Sequence, residues 1–379
     1  MKIGIVCYPT FGGSGVVATE LGLELSKRGH EIHFITYSQP VRLELLSNDV
    51  HFHEVHVPEY PLFHYQPYEL ALSSKLVDMV KLHNIDLLHV HYAIPHAYAA
   101  YMAQQMLKDE GVFVPIVTTL HGTDITLVGS HPFYKPAVTF SINKSDAVTS
   151  VSESLKRDTL RLFNIKKDIH VVPNFIDLEK HLHKFTDCQR EMMADDHERI
   201  ITHISNMREV KQIPDVIKIF YNIQKELPAK LMMVGEGPEK EGAERLVEEL
   251  GISDRVIFFG NSNEIDRILC FSDLFLLPSQ TESFGLAALE AMASSVPVIS
   301  TNTGGLPEVN EDGYSGYLSE VNAVADMSAN AIKILSDSAV LDQFKSNAKL
   351  QSQKFDLHQI VPMYERIYEE TLKRFLVLN

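Results

Sequence analysis

The feature that most limits the fold of this chain is an alternation, kept up almost throughout, of short apolar runs with stretches of helical periodicity. That alternation is the signature of β–α–β units joined into a parallel sheet. The first half reads as strands over 2–8, 31–37, 86–91, 116–120, 147–151 and 169–173, with another alternating strand over 50–57. Helices over 16–27, 70–83, 97–107 and 154–163 separate them. The pattern weakens from Pro173 to Arg199, and a second series follows. It has strands over 200–205, 230–234, 255–260, 274–278 and 297–300, and helices over 214–226, 242–250, 264–270, 285–293 and 323–336. The last thirty residues read as amphipathic helix. A length of 379 residues accommodates two such series, each with its own core. The expected fold class is therefore α/β, with two doubly wound domains facing across a cleft at the carboxyl ends of their strands. The expected boundaries are 1–172, 173–358, and a final helix over 359–379 that returns to the first domain.

The charge balance narrows the partners. Lys and Arg number 34 against 50 Asp and Glu, a formal net charge of −16. Such a chain repels polyanions, so nucleic acid and anionic membrane are poor partners, and any bound anion needs a local positive field. Cys7, Cys188 and Cys270 stand far apart with no CxxC, which favours reduced cysteines and a cytoplasmic setting over a disulfide or zinc framework. The first residues are too short for a signal-peptide core, and no run of about 18 apolar residues occurs.

Between the first strand and first helix lies Phe11-Gly12-Gly13-Ser14-Gly15-Val16-Val17-Ala18. Glycines there permit close backbone approach, and the helix start offers amide groups to an anion. Gly13, Gly15 and Ala18 satisfy the GxGxxA dinucleotide spacing. A nicotinamide-dinucleotide site, and with it an NAD-dependent oxidoreductase, also needs an acid at the end of the second strand. That end reads Ile35-Thr36-Tyr37-Ser38-Gln39, which has none. A tight turn without ligand is the bland alternative.

Eighteen histidines raise the question of metal. His51 with His53, and His89 with His91, each form an HxH pair on one strand face, but alternation alone produces that pattern. The later strand ends supply no completing ligand set, so no metal is expected. His121 differs, because it follows an apolar strand directly and precedes Gly122-Thr123-Asp124. That is where parallel sheets carry function, though a turn-capping histidine would sit there too.

In the second half, Ile204-Ser205-Asn206-Met207-Arg208-Glu209-Val210-Lys211 projects two cations from a strand end. They suit a phosphate or carboxylate. Glu282-Ser283-Phe284-Gly285-Leu286 opens a helix that carries Glu290. Its unpaired amides favour an anion, and a carboxylate such as Glu282 suits sugar or ribose hydroxyls. An acid complementing the helix dipole would explain Glu282 but not Glu290 within an apolar helix.

Two wound halves, the Gly-Gly turn, the strand-end His121, the strand-end Lys211 and the E-x7-E pair resemble glycosyltransferase family four. These are retaining, nucleotide-sugar-dependent enzymes with the GT-B architecture of two Rossmann-like domains. Cys7-Tyr8-Pro9-Thr10, His89-Val90-His91-Tyr92-Ala93-Ile94-Pro95-His96 and Leu120-His121-Gly122-Thr123-Asp124 resemble more narrowly one branch of that family. That branch moves GlcNAc from UDP-GlcNAc to L-malate in bacillithiol biosynthesis. Many members carry Gly-Arg where this chain has Ser205-Asn206, so the usual diphosphate arginine is missing.

The resemblance implies donor binding on the second domain by Gly12, Gly13, Lys211, Glu282, Ser283, Phe284, Gly285, Leu286 and Glu290, the first two reaching from the glycine turn. It implies acceptor binding by Ser14, Tyr92, Thr119, Asn206 and Arg208 on and near the first. His121, Lys211 and Glu282 would serve the chemistry, with no metal and no cofactor beyond the co-substrate UDP-GlcNAc. The implied partners are UDP-GlcNAc or UDP and L-malate, with a homo-oligomer left open. Rival readings are a family member with a sugar or lipid acceptor and a non-catalytic nucleotide-sugar-binding module. A lipid acceptor calls for a basic, aromatic-studded helix, and the helix with Lys75, Asp78 and Lys81 is too mixed for that.

Overall fold

A computed structural model describes the chain apart from residues 11, 42, 44–47, 60, 183–187, 189, 263 and 379. It divides into two compact units, Met1–Asn174 with His358–Asn379, and Phe175–Leu357. Each is a parallel sheet wound on both faces by helices, the α/β class expected.

The first unit runs β1 (Lys2–Val6), α1 (Gly13–Lys27), β2 (Glu31–Thr36), β3 (Val50–Glu54), α2 (Tyr68–His83), β4 (Leu87–His91), α3 (Tyr98–Asp109), β5 (Ile116–Leu120), α4 (Lys135–Lys144), β6 (Ala147–Ser150), α5 (Glu153–Leu162) and β7 (Ile169–Val171). Among the described residues the strand order is β3-β2-β1-β4-β5-β6-β7. The central strands read as continuous apolar or uncharged runs because helices cover both faces; β4 and β5 are buried at every position. Glycine also shapes the packing: a Cβ at Gly22 would come within 2.5 Å of the Phe34 ring, so only glycine lets α1 lie against β2.

The second unit runs α6 (Leu178–Leu182), β8 (Arg199–Ile204), α7 (Ile213–Glu226), β9 (Ala229–Val234), α8 (Lys240–Glu249), β10 (Val256–Gly260), α9 (Ile265–Cys270), β11 (Leu274–Leu277), α10 (Leu286–Ala293), β12 (Val298–Thr301), α11 (Leu306–Val309), β13 (Gly316–Ser319), α12 (Val324–Leu335) and α13 (Ser338–Ser352). Its order is β10-β9-β8-β11-β12-β13. Helix α7 shows why these segments dock: Ile213, Val216, Ile217, Phe220 and Ile223 recur at helical spacing and are all buried in one core. Each such side chain contributes about 1.5–3 kcal/mol on full burial. Asp337 caps α13 by accepting from the amides of Ala339 and Val340.

Three expectations need correction. Helix α1 begins at Gly13, inside the glycine turn rather than at Val16, because the glycines themselves adopt helical backbone. Helices α4 and α13, the short helices α6 and α11, and strand β13, absent from the sequence reading, are present, and β13 lies at the sheet edge next to a Gly-Tyr-Ser-Gly turn. Cys188 and Cys270 form a disulfide across 82 residues, against the expectation of reduced cysteines, since folding brings the approach to β8 beside the end of α9. Cys7 is free and buried. Among the described residues no helix is long and apolar enough to cross a membrane.

The last helix, α14 (Leu357–Leu378), packs on the first unit through buried Tyr364 and Tyr368. Tyr368 Oη shares a 2.7 Å hydrogen bond with His89 Nδ1. His89 Nε2 lies 2.7 Å from Thr119 Oγ1, which lies 2.7 Å from Thr149 Oγ1. Next to this chain, His91 Nδ1 meets His121 Nε2 at 2.8 Å, and His96 Nδ1 donates to the His91 carbonyl at 2.5 Å. Burial holds all four rings neutral: His89 and His121 down to about 3, His96 to about 4, and His91 well below its ordinary value.

These rings gain protons only on unfolding, so acid must destabilise the first unit. An unfolded histidine takes up its proton below about 6.5 while the folded one does not. Each such proton costs about 1.4 kcal/mol per pH unit. Asp124, raised to about 6 by burial, and Asp146, also raised by burial, work the other way, but these four rings together with His33 and His53, held at about 4, outnumber them. The urea midpoint should fall steadily from pH 7 to pH 5; a flat profile would show that the rings are charged or exposed.

Candidate functional site

In doubly wound sheets the crevice opens where the strand order reverses, because the connections on either side leave for opposite faces. In the first unit that reversal lies between β1 and β4. Strand β1 leads into the glycine turn, whose Phe11 is outside the described residues. Gly12 and Gly13 are exposed, and α1 starts there without a side-chain cap or an acid in its first turn. Gly15 has a packing reason: a Cβ would sit 2.4 Å from the Thr10 carbonyl oxygen and 2.6 Å from that of Tyr8. Its role in a dinucleotide fingerprint is therefore not needed to explain it.

Strand β4 leads to Tyr92, held in the left-handed region at φ 83° with its amide donating to the Thr119 carbonyl at 2.8 Å. Tyr92 Oη donates to Ser14 Oγ at 2.7 Å, so this pair spans the reversal. The Tyr92 ring lies 5.1 Å from the buried His121 ring, which follows β5. Asp124 organises this end of the sheet. Its carboxylate accepts from the amides of Ala93 at 2.8 Å, Gly122 at 3.0 Å and His121 at 3.3 Å, which ties the loop after β4 to the loop after β5. Sequence reasoning quoted Asp124 without giving it a task; the signal was an acid three residues after a strand-end histidine.

Thr119, expected at the acceptor, is fully buried, with its hydroxyl bonded to His89 and Thr149. His89 and His91 bond to different partners, and neither belongs to a converging group of ligand atoms among the described residues. The histidine groups whose ligand atoms converge, among the described residues, lie at the β2–β3 edge of the sheet.

In the second unit the reversal lies between β8 and β11. Strand β8 ends at Ile204, and the chain passes Ser205, exposed Asn206 and exposed Arg208 into a single 3-10 turn, Glu209–Lys211. Strand β11 ends at Leu277, and its loop carries Glu282 and Ser283 to α10. The amide of Gln280 donates to the Val210 carbonyl at 2.8 Å, stitching the two loops together. This brings Lys211 Nζ to 2.5 Å from a Glu282 carboxylate oxygen. The sequence reading gave these two residues separate ligands; in the structure each neutralises the other. Their side chains are only 20% and 17% exposed, so the pair is sheltered from bulk water.

Helix α10 starts at Leu286 behind Gly285, which is left-handed at φ 101° and provides no side-chain cap, and no acid lies in the first turn. Phe284 is buried against Phe355, which seats the junction, and Glu290 lies one turn inside the helix. The amides of Gly285, Leu286 and their neighbours thus form an anion-compatible helix start beside Lys211 and Glu282.

Two glycine pairs that sequence reasoning passed over set this geometry. A Cβ at Gly304 would meet the Glu282 carbonyl oxygen at 1.8 Å, and one at Gly305 would meet that of Ser283 at 2.4 Å. The amide of Gly305 donates to the Glu282 carbonyl at 2.9 Å. On the other side, Cβ atoms at Gly235 and Gly237 would fall 1.8 and 2.0 Å from the carbonyl oxygens of Ser205 and Asn206. The signals were available as Gly235-Glu236-Gly237 directly after a strand and Gly304-Gly305 shortly after another. Gly304→Ala should destabilise by about 1–3 kcal/mol in urea unfolding, since it combines a left-handed φ of 57° with a backbone clash. Gly313→Ala shares the left-handed φ but would meet only the Tyr317 ring at 4.0 Å, an ordinary contact, so its cost should be smaller; equal costs would remove the close-approach argument.

Comparison with known proteins places these features. Residues 11–180 match the family described as Glycosyltransferase Family 4, and residues 187–351 match Glycosyl transferases group 1. The N-acetyl-alpha-D-glucosaminyl L-malate synthase of Bacillus anthracis is 47% identical over 375 residues, covering 98% of each chain. Among solved structures, sucrose-phosphate synthase from Thermosynechococcus elongatus superposes with TM-score 0.81 at 19% identity, covering 98% of this chain and 99% of that one. Anabaena HepE in complex with UDP and glucose also gives 0.81 at 19% identity, covering 97% and 99%. The chain belongs to glycosyltransferase family four, and its two doubly wound units have the GT-B architecture of that family.

Proposed function

We propose that this enzyme transfers GlcNAc from UDP-GlcNAc to the hydroxyl of L-malate with retention of anomeric configuration, the first step of bacillithiol biosynthesis in a cytoplasmic setting. The 47% identity to an L-malate synthase across 98% of both chains supports the acceptor. The observation that carries the donor side is the Lys211–Glu282 pair at the strand-order reversal beside the uncapped start of α10.

UDP-GlcNAc binds at the β8–β11 reversal. The diphosphate takes Lys211 and the helix-start amides at Ser283, Phe284, Gly285 and Leu286. Once Lys211 turns to phosphate, the Glu282 carboxylate is released to accept from the sugar hydroxyls, and Glu290 accepts from the ribose. Positive charge aimed at the leaving oxygen is worth most in the transition state, where negative charge develops. The acceptor-side residues are Ser14 and Tyr92 on the first unit and Asn206 and Arg208 on the second. Arg208 is the exposed cation suited to a carboxylate.

The bond from the anomeric carbon to the phosphate oxygen breaks, and the malate oxygen bonds to that carbon from the same face. The malate proton passes to an oxygen of the departing UDP, so the enzyme supplies no nucleophile and no base. His121 remains neutral at working pH. A neutral ring can orient the sugar without repelling the positive character that grows on it.

A UDP-release assay with UDP-GlcNAc, run with and without L-malate, tests the reading. Release should depend on malate; release that ignores it would remove the acceptor while sparing the transferase. In the same assay, Lys211→Ala should lower turnover by about 10²–10³, and Arg208→Ala should raise the malate KM more than the donor KM. A near-normal Lys211→Ala rate would sink its assignment, and a shift confined to the donor would move Arg208 to the diphosphate.

A further inference from the structure

The β2–β3 edge of the first unit holds a group of side chains that sugar transfer does not use. The two strands pair in parallel with His33 opposite His51 and Ile35 opposite His53. Alternation therefore puts Glu31, His33, His51 and His53 on one face. Helix α2 ends over that face at His83, where Asn84 adopts the left-handed conformation that terminates it. The His83 ring centroid lies 4.6 Å from that of His33 and 4.8 Å from that of His53.

His33 Nδ1 is 2.9 Å from His53 Nε2, and His33 Nε2 is 3.2 Å from Glu31 Oε1. One ligand atom from each of His33, His53 and His83 falls within 4.8 Å of the others. Ligands about 2.0–2.1 Å from a tetrahedral zinc ion stand roughly 3.4 Å apart, so a small contraction converts this group into a site.

We propose that His33, His53 and His83 bind one divalent ion of the zinc class, a site separate from sugar transfer. Glu31 is its orienting partner: by accepting from His33 Nε2–H it fixes the tautomer that leaves Nδ1 free for metal, the usual carboxylate behind a metal-bound histidine. In the absence of metal, His53 Nε2–H donates to His33 Nδ1. On binding, His53 exchanges through solvent to its Nδ1–H tautomer, with no net proton released, and two metal–nitrogen bonds replace the one N–H···N bond. Burial and neighbouring histidines hold His33 and His53 at about 4, so both rings are neutral and their lone pairs available at neutral pH.

Imidazole donors suit zinc, copper and nickel, whereas magnesium and calcium favour oxygen. His51, whose side chain is 38% exposed, leaves the cluster open to entering ions. Bound metal would clip an edge strand, its neighbour and a helix terminus together, which is a structural gain at the part of the sheet with fewest ladder partners.

The test uses the full-length chain without an affinity tag, stripped by chelator and titrated with zinc chloride against a chromophoric competitor. The wild type should withdraw one equivalent per chain and gain several degrees in Tm. The His53→Ala/His83→Ala double variant should lose both effects, with the Tm of its metal-free form close to that of the metal-free wild type. His83→Gln alone, at the helix terminus, should weaken binding at least tenfold and serves if the double variant does not fold. No uptake by the wild type, or an unchanged equivalent in either variant, overturns the site.

Discussion

The constraint on which the rest depends is the reversal of strand order in each parallel sheet. A parallel strand must be reached by a crossover, and right-handed crossovers that change direction leave two loops diverging over opposite faces. At β1–β4 that opening receives the glycine turn, Tyr92 and, one strand further on, His121. At β8–β11 it receives Lys211, Glu282 and the start of α10. Side chains more than seventy positions apart in the chain meet there because adjacent strands end at the same level.

Close backbone contact then turns an opening into a site. Gly235, Gly237, Gly304 and Gly305 let two loops press against the carbonyls of Ser205, Asn206, Glu282 and Ser283. The ion pair thereby stands on closely packed loops, and electrostatic preorganisation is what makes such donors effective. In the first unit Asp124 does the same work with a carboxylate, fastening two strand-end loops through three amides. Charge explains why these local devices are necessary. With a net charge of −16 the protein attracts neither a nucleotide sugar nor a dicarboxylate at long range. The positive potential must come from a few cations and helix starts at the strand ends.

Much of the fold was legible in sequence because strand and helix periods are local properties. The runs around β1, β5, β8 and β11 needed no neighbour to be read, whereas α4 and β13 were short and poorly periodic. Of the site, position at a strand end was legible for His121, Lys211 and Glu282; what each of them touches was not. Thr119 shows the limit: adjacent residues of one strand face opposite ways, and only the packing of α14 reveals which way is covered.

By itself the sequence determined the wound architecture, the glycine-rich helix starts and the family motifs, all of which rest on spacing along the chain. Tertiary structure alone decided that Lys211 meets Glu282, that Cys188 meets Cys270, and that His83 joins His33 and His53. The physical reason is the same in each case. Hydrogen bonds, ion pairs and metal ligation act over a few ångströms, and sheet order, not chain order, sets which residues come that close.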